Sequence, residues 1–328
     1  MKKKIAIIVL SLVVLSAFYF AGPRPAPLAL SKAWPNLQVQ LNEVDSYLEN
    51  REKQYKLRED NEARVVWADS IRKTEWTILY LHGFSASQGE GAPVHLNIAK
   101  DMGANLVLAR LAGHGYQQNQ LDDFTAISAW EDAKEFLNLA QICGEKVLLM
   151  GTSTGCSYAL NLAAEFPDKI HGIVNLSANI RVNDPAAFLL NDPWGLQIAE
   201  MVIGPKRRVI SDSIGHALYW DTLYTVSSLV ELEHLLESSL HKETFQKVTQ
   251  PCLNLCYYAS EQEQDPVVRV DKIEWMHELL ASPQDQKRFV KLDKVGNHVL
   301  ASPIKSKDVK GTEAAIRSFL REILFIEI

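Results

Sequence analysis

From residue 63 onward, short apolar runs alternate with longer stretches whose apolar residues recur at helical spacing. The runs Arg64 to Ala68, Thr77 to Leu81, Asn105 to Ala109, Lys146 to Met150, Gly172 to Leu176, Pro251 to Tyr258 and Lys287 to Leu292 read as strands. The stretches Pro93 to Met102, Ser128 to Ile142, Ser157 to Phe166, Asp271 to Leu280 and Gly311 to Phe325 read as helices. Strands this short and this apolar, separated by helices, predict an α/β fold with a mostly parallel central sheet and helices on both faces. The interval 181–248 breaks the alternation and is too long for an ordinary connection. It holds Trp194, Tyr219, Trp220 and Tyr224, and apolar positions Leu223, Val226, Leu229, Val230, Leu235 and Leu236 expected on one helix. A mostly helical cap is therefore expected to be inserted into a core made of 63–180 and 249–328.

The N-terminal segment follows another pattern. Lys2, Lys3 and Lys4 precede an uncharged apolar run from Ile5 to Ala21, the signature of a signal peptide or a signal anchor. A cut after Ala21 would place Tyr19 where a small residue is wanted, and Pro23, Pro25 and Pro27 follow. Residues 1–21 are expected to be an uncleaved anchor, with the lysines in the cytoplasm and the rest of the chain outside it. If the segment is cut, the protein is secreted or periplasmic. Gly22 to Pro35 reads as an extended, proline-rich spacer that lifts the domain off the membrane. Leu37, Leu41, Val44 and Leu48 then predict an amphipathic helix ahead of the charged run Glu49 to Glu62, so 22–62 is spacer plus helix.

Composition narrows the function classes. A chain of 328 residues that is 47% apolar can bury a large core. Its net charge of −6, with both signs interspersed, offers no basic face to a phosphate backbone, so nucleic acid is excluded as a partner. Cys252 and Cys256 share one strand about 13 Å apart, beyond disulfide reach, and with Cys143 and Cys156 they read as core residues. No Cys or His pair at ligand spacing accompanies them, so neither a metal nor a cofactor is expected.

The candidate chemistry centres on Gly151-Thr152-Ser153-Thr154-Gly155, which follows the apolar run Val147 to Met150 and opens a helix. A strand, a sharp turn and a helix around G-x-S-x-G make a nucleophile elbow, and the glycines leave room for a backbone packed too tightly for side chains. A serine hydroxyl needs a base and an acid to orient that base. Asp265 lies past the strand Cys252 to Tyr258 and is the preferred acid, with Glu261 and Glu263 as alternatives on the same loop. His298 lies past the strand Phe289 to Leu292 and is the candidate base. Both therefore fall at the sheet edge where open α/β folds hold their sites. Two backbone N–H groups are expected to form an oxyanion hole: Thr154, after the serine, and Phe84, in the loop His82 to Ser87 after an early strand. His82 and His114 are expected to shape backbone, Cys156 to pack, His234 and His241 to lie on an exposed face of the cap helix, and Lys206 to Arg208 to form a solvated loop.

With His82-Gly83-Phe84, Gly113-His114-Gly115, Gly151 to Gly155 and the Asp265 and His298 loops, the chain resembles an α/β-hydrolase of the serine esterase and monoacylglycerol lipase-like type, over about residues 63 to 325. The resemblance implies hydrolysis of carboxylic esters through an acyl-enzyme on Ser153, with apolar acyl or monoacylglycerol-like esters as the favoured substrates. Relatives that open epoxides or remove halogens carry Asp where this chain has Ser153. Thioesterases, serine aminopeptidases and non-catalytic binding modules share the fold and stay open as alternatives.

Overall fold

The computed structural model describes residues 2–211 and 213–328. In chain order its elements are α1 (Lys2–Phe20), α2 (Val44–Glu52), β1 (Arg64–Val66), β2 (Thr74–Leu81), α3 (Val94–Asp101), β3 (Asn105–Leu108), α4 (Ala126–Cys143), β4 (Gly144–Thr152), α5 (Thr154–Glu165) and β5 (Gly172–Leu176). There follow α6 (Gly195–Ile203), β6 (Lys206–Arg208), α7 (Ile214–Tyr219), β7 (Leu223–Thr225), α8 (Val226–Ser239), α9 (Lys242–Phe245), β8 (Cys252–Tyr257), α10 (Val270–Leu279), β9 (Lys287–Leu292) and α11 (Val309–Glu322).

The central sheet has the order β1-β3-β2-β4-β5-β8-β9. Its β1 edge is antiparallel to β3, and the remaining pairings are parallel. The inner strands read as unbroken apolar runs because both of their faces are covered. In β2, Leu79 and Leu81 join a core with Trp130 of α4 and Ala159 of α5, while Ile78 and Tyr80 join a second core with Ile98 of α3 and Phe319 of α11. The period-two alternation of a strand thus feeds two cores on opposite faces of one sheet. Parallel register also brings the strand ends to one edge: Leu81 pairs with Gly151, Thr152 with Leu176, and Tyr257 with Leu292.

Five expectations need correction. Gly22 to Pro35 is extended, but it is docked as a strap rather than standing off as a spacer. Trp130 Nε1, Lys134 Nζ and Asn138 Nδ2, one turn apart on α4, donate to the carbonyls of Ser31, Ala33 and Pro35 at 2.8, 2.9 and 2.9 Å. Prolines remove N–H donors from the strap, so its carbonyls need donors from elsewhere, and one face of α4 supplies them. Leu37 lies in the extended segment, and the helix expected around it begins only at Val44, after a single 3-10 turn at Leu41–Glu43. Leu223 belongs to β7, which pairs with Lys206–Arg208 in an antiparallel ribbon, so those residues form a strand rather than a loop or part of the helix. His241 lies beyond the end of α8 and shares no helical face with His234.

Candidate active site

Ser153 occupies the single residue between β4 and α5 with φ 52°, a conformation that costs energy for any side chain and is kept only where the surroundings hold it. Its N–H donates to Leu176 O at 2.9 Å, and its carbonyl accepts from Cys156 and Asn179 N–H at 3.0 and 3.1 Å. A Cβ on Gly151 would come within 2.7 Å of Cys156 N, and one on Gly155 would overlap the carbonyl of Leu81. The two glycines are therefore spatial requirements of the turn. Ser153 is 6% exposed, and its Oγ has no hydrogen-bond partner among the described residues.

Asp265 and His298 meet at the same sheet edge. His298 Nδ1 donates to Asp265 Oδ2 at 2.7 Å, and Asp265 Oδ1 accepts from the N–H groups of Val267 and Val268 at 2.8 and 3.0 Å. Burial alone would raise the Asp265 carboxyl, but the charge and hydrogen bond of His298, with both N–H donors, hold it below its usual range. Burial likewise opposes a charged imidazole at His298, yet Asp265 and then Glu90 lift it above the ordinary histidine value. With Nδ1 committed, Nε2 is the nitrogen left to take a proton. The carbonyl of His298 accepts from Ser177 Oγ at 2.7 Å, which fixes the loop. Glu261 sits on Tyr258 OH instead, and both Glu261 and Glu263 are exposed.

The loop after β2 faces Ser153. A Cβ on Gly83 would lie 3.0 Å from Ser153 Cβ, so the loop and the turn touch there. No group among the described residues accepts from the N–H of Phe84 or of Thr154. His82 and His114 support this loop as neutral rings. Their Nδ1 atoms donate to Gly83 O and Ala112 O, both at 2.9 Å, and their Nε2 atoms accept from Leu111 N–H and Ser85 N–H, both at 3.1 Å. Burial lowers both, His82 to about 4. Phe84 stacks edge-on against Phe124 and Tyr224, with ring centroids 5.3 and 5.4 Å away.

Sequence reasoning passed over Glu90. It is 2% exposed, and its Oε2 accepts from Gly83 N–H at 2.7 Å. Burial pushes its carboxyl up to about 7, against the pull of the Gly83 N–H, the charge of His298 and the Trp220 indole. The available signal was that Glu90 is the sole charged residue in an otherwise uncharged loop, 83–94.

A sheet of this strand order, with a serine turn after β4 and an acid and a histidine past β8 and β9, agrees with a match of residues 77–202 to the α/β hydrolase fold family. The chain has the α/β-hydrolase fold. No curated protein matches this hydrolase-fold chain. Among solved structures it is similar to one from a pair of metagenome-derived lipolytic enzymes, LipS and LipT, at 18% identity and TM-score 0.64, covering 81% of this chain and 99% of that one. A thermostable carboxyl esterase from Bacillus coagulans shows 17% identity and TM-score 0.59, over 80% and 94% of the two chains. A monoacylglycerol lipase from Paleococcus ferrophilus shows 14% identity and TM-score 0.57, over 79% and 97%. Identities this low speak for the fold alone, and the chemistry of this chain has to be argued from the site.

Proposed function

We propose that this α/β-hydrolase is a serine hydrolase of carboxylic esters, with Ser153 as nucleophile, His298 as general base, Asp265 as the acid that orients it, and Phe84 and Thr154 N–H as oxyanion donors. The observation that carries the reading is the buried Asp265–His298 pair, at 2.7 Å, on the sheet edge where the Ser153 turn lies. His298 Nε2 takes the Ser153 proton as Oγ attacks the ester carbonyl. The tetrahedral oxyanion is held by the two N–H groups until His298 gives the proton to the leaving alcohol, and water repeats the sequence to release the acid. Glu90 is a positioning residue: by occupying Gly83 N–H it fixes the loop so that Phe84 N–H is the donor left for substrate.

The aromatic surroundings of Phe84 support an apolar acyl group, and residues 181–248 are read as a cap over the core 63–180 and 249–328. The helix α1, 19 residues long with mean hydropathy 2.0 and no buried residue, is read as a membrane anchor with the catalytic domain outside the cytoplasm. Full-length protein in detergent, offered p-nitrophenyl esters of rising acyl length beside thioester and aminoacyl substrates, is expected to cleave the esters and to lose that activity in Ser153→Ala. Cleavage of thioesters or aminoacyl substrates alone would replace the ester reading.

One observation favours a second reading, a silent binding module: Ser153 Oγ has no hydrogen bond to His298. Such bonds often close only when substrate is present, so the geometry is compatible with catalysis.

A further inference from the structure

Large exposed apolar side chains are spread thinly over the hydrolase core, as on most protein surfaces. Between β5 and β8 they gather. Phe188 is 52% exposed, Met201 85%, Val202 75%, Ile210 88% and Ile214 91%, all within one segment around α6. Exposed apolar side chains are costly in water, and so many in one segment are a reason to look for what covers them.

The position of this face indicates what covers it. Trp194, the residue before α6, stacks on Phe18 near the end of α1, with centroids 5.0 Å apart and planes 18° apart. The Trp194 indole donates to Phe18 O at 3.3 Å and its backbone N–H to Pro23 O at 2.8 Å. The apolar segment therefore starts where α1 ends. If α1 crosses a bilayer, its C-terminal end lies at the bilayer surface and holds α6 there too. Directly after α6 come Lys206, Arg207 and Arg208, exposed on the β6 strand, as a segment resting on anionic headgroups requires.

We propose that α6 and the β6 strand, from Trp194 to Ile210, with Ile214 beyond them, form an interfacial element, with Met201, Val202, Ile210 and Ile214 embedded in the anionic phospholipid surface of the bilayer that α1 crosses. This rests on reading α1 as a membrane anchor. The segment also leads to the site: Trp220, shortly after it, packs with Ala86 of the β2 loop and Val299 beside His298, and Tyr224 packs on Phe84. An apolar ester leaving the bilayer would then reach Ser153 along one continuous stretch of chain.

The test uses the full chain in nanodiscs containing phosphatidylglycerol. The four native cysteines are buried, so Met201→Cys and Ile210→Cys can each carry a polarity-sensitive fluorophore, with Ile71→Cys, half exposed between β1 and β2, as the control. Probes at 201 and 210 are expected to show blue-shifted emission and to lose intensity with nitroxide-labelled acyl chains, while the probe at 71 does neither. Water-like emission at 201 and 210 from protein that still elutes with the discs would overturn the docking and leave the anchor standing. Loss of the protein from the discs would overturn both.

Discussion

Glu90 Oε2 accepts the Gly83 N–H at 2.7 Å from a position that is 2% exposed, directly under the loop that faces Ser153. Burial raises this carboxyl from the usual 4.5 to about 7. A raised acid pKa means the folded state favours the protonated form, so the native state loses stability relative to the unfolded chain as pH rises from about 4.5 to about 7. Across that window the loss is on the order of 3 kcal/mol. Glu90→Gln does not titrate, so its melting temperature relative to wild type should rise between pH 5 and pH 8. A difference that stays constant with pH, measured by thermal melts in matched buffers, would remove Glu90 from this role.

The Asp265–His298 pair sets a second pH dependence. The proposed mechanism needs neutral His298, whose pKa lies above the ordinary 6.5 because Asp265 outweighs the effect of burial. The acid limb of kcat/KM should therefore lie above that of a free imidazole. Asp265→Asn should lower kcat/KM by about a thousandfold or more. It should also move the acid limb to lower pH, since the lost carboxylate no longer favours the imidazolium. A limb that does not move would separate Asp265 from the base.

Gly155 packs its Cα against the carbonyl of Leu81, so the first turn of α5 presses on the end of β2. Gly155→Ala forces backbone apart at a point where no side chain can yield. A loss of about 3 kcal/mol in urea unfolding is expected, with ester hydrolysis reduced in the fraction that stays folded. An alanine variant as stable as wild type would show that the turn adjusts freely.

These residues differ in how legible they were from sequence. The inner strands of the sheet were readable because both faces are buried, so each announces itself as an apolar run such as Leu79-Tyr80-Leu81. Ser153 was readable because the turn demands glycines at fixed offsets. Asp265 and His298 followed from strand ends, since parallel strands deliver their loops to one edge. Glu90 was only faintly marked: it is the sole charge in the loop 83–94, but its neighbour Trp220 comes from the distant segment between β5 and β8, and a lone loop glutamate is more often solvated than buried. The strap at Gly22 to Pro35 was misread for a similar reason. Proline content shows that the backbone is extended, but not that Trp130, Lys134 and Asn138 of α4 will hold its carbonyls.

The central claim is that Ser153 is an activated nucleophile, and covalent labelling tests it most directly. Full-length protein would be treated with a fluorescent fluorophosphonate beside Ser153→Ala and His298→Ala, and the modified residue located by peptide mass analysis. Labelling of wild type at Ser153, absent from Ser153→Ala and strongly reduced in His298→Ala, is the result the account predicts. Folded wild-type protein that takes no label, or takes it at another residue, would contradict it.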